Sequence, residues 1–231
     1  MTIIVIARII DISTFLHPPM MNVCLKCGSY HVDKIIAPSG PYAICPECGY
    51  KHPFLQLPLF VISGASGTGK TAILHQLLGR VSEFVLLESD ILWRPEFNTP
   101  ENRYREFFET WLRMCKNISQ SGRPVMIFGA GLGVPENIEP CIERRYFGKL
   151  HYLALVCEED ELRKRLLKRP EWRNCNDEGF IKAQIDFNRW FKENRNGEDP
   201  RIELLDTTHA AVEETAKDII TWSKSLYTSN K

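Results

Sequence analysis

The chain has 231 residues, of which 44% are apolar, and its 29 basic residues balance 29 acidic ones. This length fits one large domain, or one medium domain with a small module beside it. The balanced charge gives no bulk attraction to nucleic acid or to a membrane surface, and no segment approaches the roughly 20 apolar residues that a membrane helix needs.

The N-terminal stretch does not match the modules that follow it. Its apolar start, "MTIIVIARII", is short, is interrupted by Arg8 and lacks a small-residue cleavage site, so it does not indicate a signal peptide. We interpret residues 1–20 as an N-terminal extension, either a short strand at a sheet edge or a loosely held segment.

Two Cys-x-x-Cys-Gly motifs come next, "CLKCG" and "CPECG". Cysteines at this spacing can direct two sulfurs at one ion, and two such turns complete a tetrahedral thiolate site for structural Zn²⁺. A segment this short cannot bury enough core to fold unaided, so a metal would supply its stability. We therefore predict a zinc ribbon over residues 21–55 with Cys24, Cys27, Cys45 and Cys48 as ligands; a redox dithiol pair or unligated thiols are the alternatives.

The remaining cysteines are single and scattered, which favours a reducing, cytoplasmic location over a disulfide scaffold. With four cysteines filling the metal shell, His31 and His52 are expected at the surface. Basic and aromatic residues are sparse in the ribbon, which argues against a nucleic-acid partner and leaves a protein partner open.

The stretch "LFVISGASGTGKTAILHQLLG" fits the pattern G-x-x-x-x-G-K-[ST] between an apolar strand and a helix. Glycines let successive backbone N–H groups face an anion at the positive end of the helix dipole. Lys70 would reach the β- and γ-phosphates of ATP, and the Thr71 hydroxyl would ligate Mg²⁺. The predicted nucleotide-binding residues here are Gly64, Ala65, Ser66, Gly67, Thr68, Gly69, Lys70, Thr71 and Ala72.

Strands and helices alternate through the rest of the chain. Strands are predicted at 57–63, 84–89, 124–129, 150–156 and 202–206, and helices at about 70–80, 100–119, 159–169, 177–194 and 210–227. Such alternation predicts an α/β three-layer sandwich whose parallel five-stranded sheet is covered on both faces.

From Leu57 onward the chain resembles the P-loop small-molecule kinases, the superfamily of nucleoside monophosphate, shikimate and gluconate kinases. The resemblance implies a P-loop NTPase fold over residues 56–231, with a lid at about 158–176. In "LLESDILW" it implies that Glu88 helps to hold the water shell of magnesium and that Asp90 orients and deprotonates the acceptor hydroxyl. The alternative for this pair is a solvated turn.

Two further stretches carry the resemblance. "MIFGAGLGVP" places glycines after the third strand, where the family brings its backbone close to the acceptor, and no Walker B aspartate ends that strand. "ELRKRLLKRPEWR" resembles the lid, whose arginines stabilise the charge of the transferred phosphoryl group; a helix paired with the acidic residues before it is the alternative. The implied residues are Gly129, Gly131 and Gly133 for the acceptor, Arg165, Arg169 and Arg173 for the lid, and Thr207 and Thr208 near adenine.

Together these features predict an ATP-dependent phosphotransferase acting on a small-molecule acceptor. A nucleoside or nucleotide comes first because Trp93 and Phe97 follow Asp90, where a base could stack, although both rings could equally be packing. One alternative is an ATP-binding regulator or ATPase whose ribbon contacts a protein or nucleic acid. Another is a drug-modifying or toxin-type kinase of the same fold.

Overall fold

The computed structural model describes residues 22–173, 175–195 and 200–228. The predicted extension, residues 1–20, lies outside the described residues. The chain divides into two compact units, with the boundary between Leu55 and Gln56. Among the described residues, no helix is both long enough and apolar enough to cross a membrane.

The first unit contains a small antiparallel sheet. Its strands are paired in the order β1 (Ile35–Ile36), β2 (Tyr42–Ile44) and β3 (Lys51–Pro53). Because Ala43 lies opposite His52 in the β2–β3 register, both side chains share one face, and both are buried. The expectation that His52 lies at the surface is therefore wrong. Its ring packs edge-on against Tyr50, with 4.8 Å between the ring centroids.

The second unit is built on a five-stranded sheet in which every pairing is parallel. The predicted parallel sheet is confirmed. In the order β5-β6-β4-β7-β8, the strand that leads into the glycine-rich loop is central. The strands are β4 (Leu59–Gly64), β5 (Val85–Glu88), β6 (Val125–Phe128), β7 (Leu150–Val156) and β8 (Ile202–Asp206).

Helices cover both faces of this sheet. Alternate residues of β4 enter different cores: Val61 packs with residues of α2 and α5, and Phe60 with residues of α1 and α6. This arrangement confirms the three-layer sandwich. The helices are α1 (Lys70–Leu77), α2 (Arg105–Ser119), α3 (Pro135–Ile138), α4 (Glu159–Leu167), α5 (Glu178–Asn194) and α6 (Val212–Thr228).

Helix α2 begins later than the pattern predicts. Its apolar stripe suggests a start near residue 100, but the helix starts at Arg105. Arg103 and Tyr104 have φ angles of 55° and 56°, in the left-handed region that non-glycine residues seldom adopt. Because two such residues in a row cannot continue a right-handed helix, the chain turns at this point before α2 starts.

The sheet buries a histidine. His151 in β7 stacks on Phe60 at 5.0 Å between the ring centroids, and its Nε2 atom has no hydrogen-bond partner in the described part of the chain. Burial lowers the pKa of His151 to about 4, and Lys149 acts in the same direction. The folded second unit, called the P-loop unit below after its glycine-rich loop, therefore holds this imidazole neutral where an unfolded chain would protonate it.

We expect the free energy of unfolding of the P-loop unit to fall as the pH drops from about 6.5 to about 4. In this window the unfolded state binds the proton that the folded state refuses, so each pH unit costs about 1.4 kcal/mol. Urea unfolding followed by tryptophan fluorescence reports on this unit alone, because all five tryptophans lie beyond residue 56. His151→Leu should flatten this pH dependence, whereas substitution of exposed His75 by Gln should preserve it. A His151→Leu curve parallel to the wild type would contradict the assignment.

Candidate functional site

The glycine-rich loop begins where β4 ends. Gly64 has a φ of 137°, and a Cβ at this position would collide with the Leu155 carbonyl oxygen of β7 and the Thr68 hydroxyl. Only glycine fits this close approach of two strands. The loop then turns into α1, whose N-cap is Gly69. Backbone N–H groups at the start of a helix can bind an anion.

Lys70 lies beneath this loop. Its Nζ donates to the carbonyl oxygens of Gly64, at 2.6 Å, and of Ala65, at 3.0 Å. Desolvation lowers the pKa of Lys70 to about 8; Asp90 and Glu88 oppose this shift and Arg169 adds to it. Among the residues that the structure describes, no carboxylate is hydrogen-bonded to this ammonium, so an anionic ligand would stabilise its charge.

The two predicted carboxylates, Glu88 and Asp90, lie close enough to Lys70 to act on its pKa. Glu88 is the last residue of β5, and its Oε1 accepts a hydrogen bond from the Thr71 hydroxyl at 2.8 Å. Asp90 lies in the single 3-10 turn that follows, Ser89–Leu92. The Trp111 indole N–H of α2 donates to the Ser89 carbonyl oxygen at 3.1 Å and fixes this turn. Hydroxyl and carboxylate oxygens at this separation are a donor set that suits Mg²⁺.

A cavity of about 480 Å³ brings the loop, the carboxylates and the arginines of the predicted lid together. Its wall contains most of the predicted nucleotide and acceptor residues. Phe128, Ala130, Pro170 and Trp172 complete it, and none of these was predicted. The predicted residues on the wall are Ser66, Gly67, Gly69, Lys70, Thr71, Ala72, Glu88, Asp90, Gly129, Arg165, Arg169 and Arg173.

The three glycines after β6 occupy different environments. Gly129 lines the cavity, and a Cβ there would collide with the Ser89 side chain, which underlies the Asp90 turn. Gly131 instead lies against Phe108, and Gly133 leaves no room for a Cβ beside Ser63 of β4. Only the first glycine of the motif therefore reaches the cavity wall, and the other two allow the loop to pack against the core.

Arg165 has partners from two elements. Its Nε donates to Glu161 Oε1 at 2.9 Å, and its NH2 group donates to the carbonyl oxygens of Thr207, at 2.6 Å, and Thr208, at 2.9 Å. The side chain therefore ties α4 to the loop after β8. Arg169, two residues after the end of α4, makes only a long contact of 3.7 Å to Cys175 Sγ among the described residues. Both arginines line the cavity, and Arg169 has more donor groups without a hydrogen-bond partner among the described residues.

Thr207 and Thr208 lie beside a smaller, adjoining site. Thr207 lines a cavity of about 270 Å³ that shares Gly67, Gly69 and Arg165 with the larger one. The Thr208 hydroxyl donates to Asp206 Oδ1 and accepts from the backbone N–H of Glu158. Thr207 therefore lines the cavity between the glycine-rich loop and α6, whereas Thr208 stabilises the loop after β8.

Sequence reasoning missed one contact with the glycine-rich loop. Gln184 of α5 accepts a hydrogen bond from the Ser66 backbone N–H at 2.8 Å. A glutamine among the other polar residues of this helix gives no signal in the sequence, because the contact joins residues far apart in the chain. The position of Trp172, 73% exposed on the rim of the cavity, also needed the fold.

The first unit brings its four predicted cysteines together. All four sulfurs lie within 4.8 Å of one another, with Cys24 and Cys48 at 3.6 Å and Cys27 and Cys45 at 3.8 Å. A tetrahedral site with metal–sulfur bonds of about 2.3 Å has sulfur–sulfur edges of about 3.8 Å. The cluster therefore has the ligand type and the spacing of a four-cysteine metal site.

Comparison with known proteins identifies the fold of this chain. No protein-family profile matches the sequence, and no curated protein matches it either. Among solved structures, a sugar kinase from a Janibacter species is 17% identical, with 73% of this chain and 95% of that chain covered at a TM-score of 0.55. This chain has the fold of P-loop kinases.

Two further structures agree with this assignment. A gluconokinase from Sinorhizobium meliloti is 19% identical over 76% of this chain and 99% of that one, with a TM-score of 0.51. The tunicamycin resistance protein of Deinococcus radiodurans is 17% identical over 72% of this chain and 95% of that one, with a TM-score of 0.50. At these identities the likeness concerns the P-loop kinase fold, and the activity has to be argued from the cavity.

The two lid arginines should differ in their effect on stability. Arg165→Ala removes charged hydrogen bonds to carbonyl oxygens, and we expect it to lower the free energy of unfolding by about 2 kcal/mol. Arg169→Ala should change it by less than about 0.5 kcal/mol. Urea unfolding followed by tryptophan fluorescence measures both, with exposed Lys168→Ala as the control. Equal losses for the two arginines would contradict this division.

Proposed function

We propose that this chain is an ATP-dependent phosphotransferase that acts on a small-molecule acceptor, with a nucleoside or nucleotide as the first candidate. One observation carries the proposal: Asp90 stands on the wall of the same cavity as the Lys70 loop and Arg169. A nucleotide holder needs only the loop. A carboxylate beside the loop adds a group that can receive a proton from an acceptor.

The donor site follows from the loop. Backbone N–H groups and Lys70 would bind the β- and γ-phosphates, and Thr207 in the adjoining cavity would lie beside the nucleoside part. Thr71 and Glu88 would hold Mg²⁺, directly or through its water shell. When bound, the ion would neutralise charge on the phosphate oxygens.

The transfer step needs a base and a cation at the reacting group. Asp90 would orient the acceptor hydroxyl and take its proton as the hydroxyl oxygen forms a bond to the γ-phosphorus and the bond to ADP breaks. Arg169 and Arg173 would offset the negative charge on the transferred group, while the lid excludes water. Arg165 would position the lid through its bonds to Thr207 and Thr208. The products are ADP and the phosphorylated acceptor.

A second candidate is an ATP-binding regulator or ATPase that uses the ribbon to contact a partner protein. The observation that favours it is the set of large apolar side chains exposed on the first unit, among them Leu25, Tyr30 and Ile35, each about 60% exposed. In this case ATP binding or hydrolysis would be independent of any small acceptor.

Labelled ATP, Mg²⁺ and a pooled library of nucleosides, nucleotides, sugars and shikimate-like acids separate these functions. We expect label on at least one acceptor, and Asp90→Asn should reduce the transfer rate by on the order of 10²- to 10⁴-fold while ATP affinity survives. The matched control is Asp218→Asn on the exposed side of α6. ATP turnover that no acceptor changes, with activity retained in Asp90→Asn, would refute the phosphotransferase.

We further propose that the four-cysteine cluster holds one structural Zn²⁺. We also propose that the protein is cytoplasmic, since none of its eight cysteines forms a disulfide. Metal analysis of the purified chain should give about one equivalent of zinc. Cys45→Ser should lose most of it, because three thiolates leave the shell open, whereas Cys115→Ala in the P-loop unit should retain it. Less than half an equivalent in the wild type would count against the zinc site.

A further inference from the structure

A second cavity of the P-loop unit, of about 470 Å³, lies between the turn before α2, helix α3 and helix α5. None of the residues proposed for ATP, magnesium or proton transfer lines it. Aromatic rings and two opposite charges share its wall. The lining residues include Arg103, Tyr104, Glu136, Asn137, Phe187 and Trp190.

The position of this cavity points to the acceptor. The small cavity at Thr207 adjoins the main cavity through Gly67 and Gly69, on the side of the donor nucleoside. The loop after β6 lines the main cavity at Gly129 and Ala130 and reaches the second cavity at Val134. Asn137 Nδ2 donates to the Gly131 carbonyl oxygen at 2.9 Å, which fixes that passage.

The Asp90 turn leads to the same place. Trp93, three residues after Asp90, lies against Tyr104 with 6.1 Å between the ring centroids, and Tyr104 lines the second cavity. The predicted stacking ring at Phe97 is instead buried against Phe107 in the core. Trp93 thus connects the segment that carries Asp90 to a ring on the wall of the second cavity.

The backbone holds two of the lining residues in unusual geometry. Arg103 and Tyr104 both have left-handed φ angles, and hydrogen bonds from their N–H groups to Pro100 and Thr99 secure the turn. Consecutive non-glycine residues in this region cost free energy, on the order of 1 to 3 kcal/mol each. The turn places a guanidinium and a phenol ring on the cavity wall before α2 begins.

The charges on this wall are available to a ligand. Within the described residues, no side-chain hydrogen bond or ion pair involves Arg103 or Glu136, and both line this cavity. Phe187 and Trp190 present rings inclined by only 24° to each other on α5. A flat ring with donors on one edge and acceptors on another would satisfy all three features.

We propose that this cavity binds the base of a nucleoside acceptor and that Arg103 and Glu136 select guanine. A carboxylate can accept two hydrogen bonds from guanine N1–H and N2–H, and a guanidinium can donate two to guanine O6 and N7. Among the common bases, guanine alone offers a two-donor edge for Glu136 together with the O6/N7 pair for Arg103. Tyr104, Phe187 and Trp190 supply rings for stacking. This assignment rests on the proposed function for the meaning of acceptor.

Calorimetric titration with guanosine, adenosine, cytidine and thymidine, with a non-hydrolysable ATP analogue saturating the donor site, tests the proposal. Guanosine should bind at least tenfold more tightly than each of the others. Arg103→Gln and Glu136→Gln should each weaken guanosine binding by about 10- to 100-fold, with the affinity for the ATP analogue unchanged. The matched controls are Arg80→Gln and Glu214→Gln, which lie on exposed surface elsewhere. A parallel titration with guanosine monophosphate shows whether the acceptor is the nucleoside or the nucleotide.

Equal affinity for the four nucleosides, or guanosine affinity unchanged in both variants, would overturn the guanine assignment. The outcome is separable from that of the proposed function. Transfer from ATP to a sugar or an acid, without nucleoside binding, would refute the base site and support the phosphotransferase. Guanosine binding that depends on Arg103 and Glu136, without transfer of label, would support the base site and refute the phosphotransferase.

Discussion

The P-loop unit depends on a cation held under a loop that only glycine can build. Lys70 donates to the carbonyl oxygens of Gly64 and Ala65, so desolvation of its ammonium is offset only in part by neutral partners. The lowered pKa of Lys70 has the same cause, the incomplete compensation of this desolvation. A polyphosphate would offset this desolvation with its negative charge, so the loop favours an anion over a neutral ligand.

Parallel strands turn this local site into a cleft. Since β4, β5 and β6 all end at one edge of the sheet, residues from three separate stretches of sequence meet there. Glu88 arrives on β5, and Gly129 follows β6 directly. The close approach of Gly129 to Ser89 brings two of these loops into contact. The chemistry proposed for Asp90 is thus a consequence of strand order as much as of residue type.

Much of this arrangement could be predicted from the sequence, because its signals are local. The glycine-rich loop, the four clustered cysteines and the alternation of strands and helices each depend on neighbouring residues. The role of Arg165 could not be predicted in this way, since its partners Thr207 and Thr208 are brought near by β8. For the same reason Gly131 and Gly133 match a family pattern while their surroundings are packed core. The burial of His52 depended on strand register.

Helix α5 joins two places that the chain would otherwise keep apart. Gln184 accepts from the Ser66 N–H of the loop, and one turn further along the same helix Phe187 and Trp190 form part of the second cavity. Because these residues lie on one continuous helix, a shift at Gln184 also moves Phe187 and Trp190. If phosphate binding displaces Gln184, it also changes the affinity of the second cavity for its ligand. Thermodynamic linkage then requires that ligand to change the affinity of the loop for phosphate by the same factor.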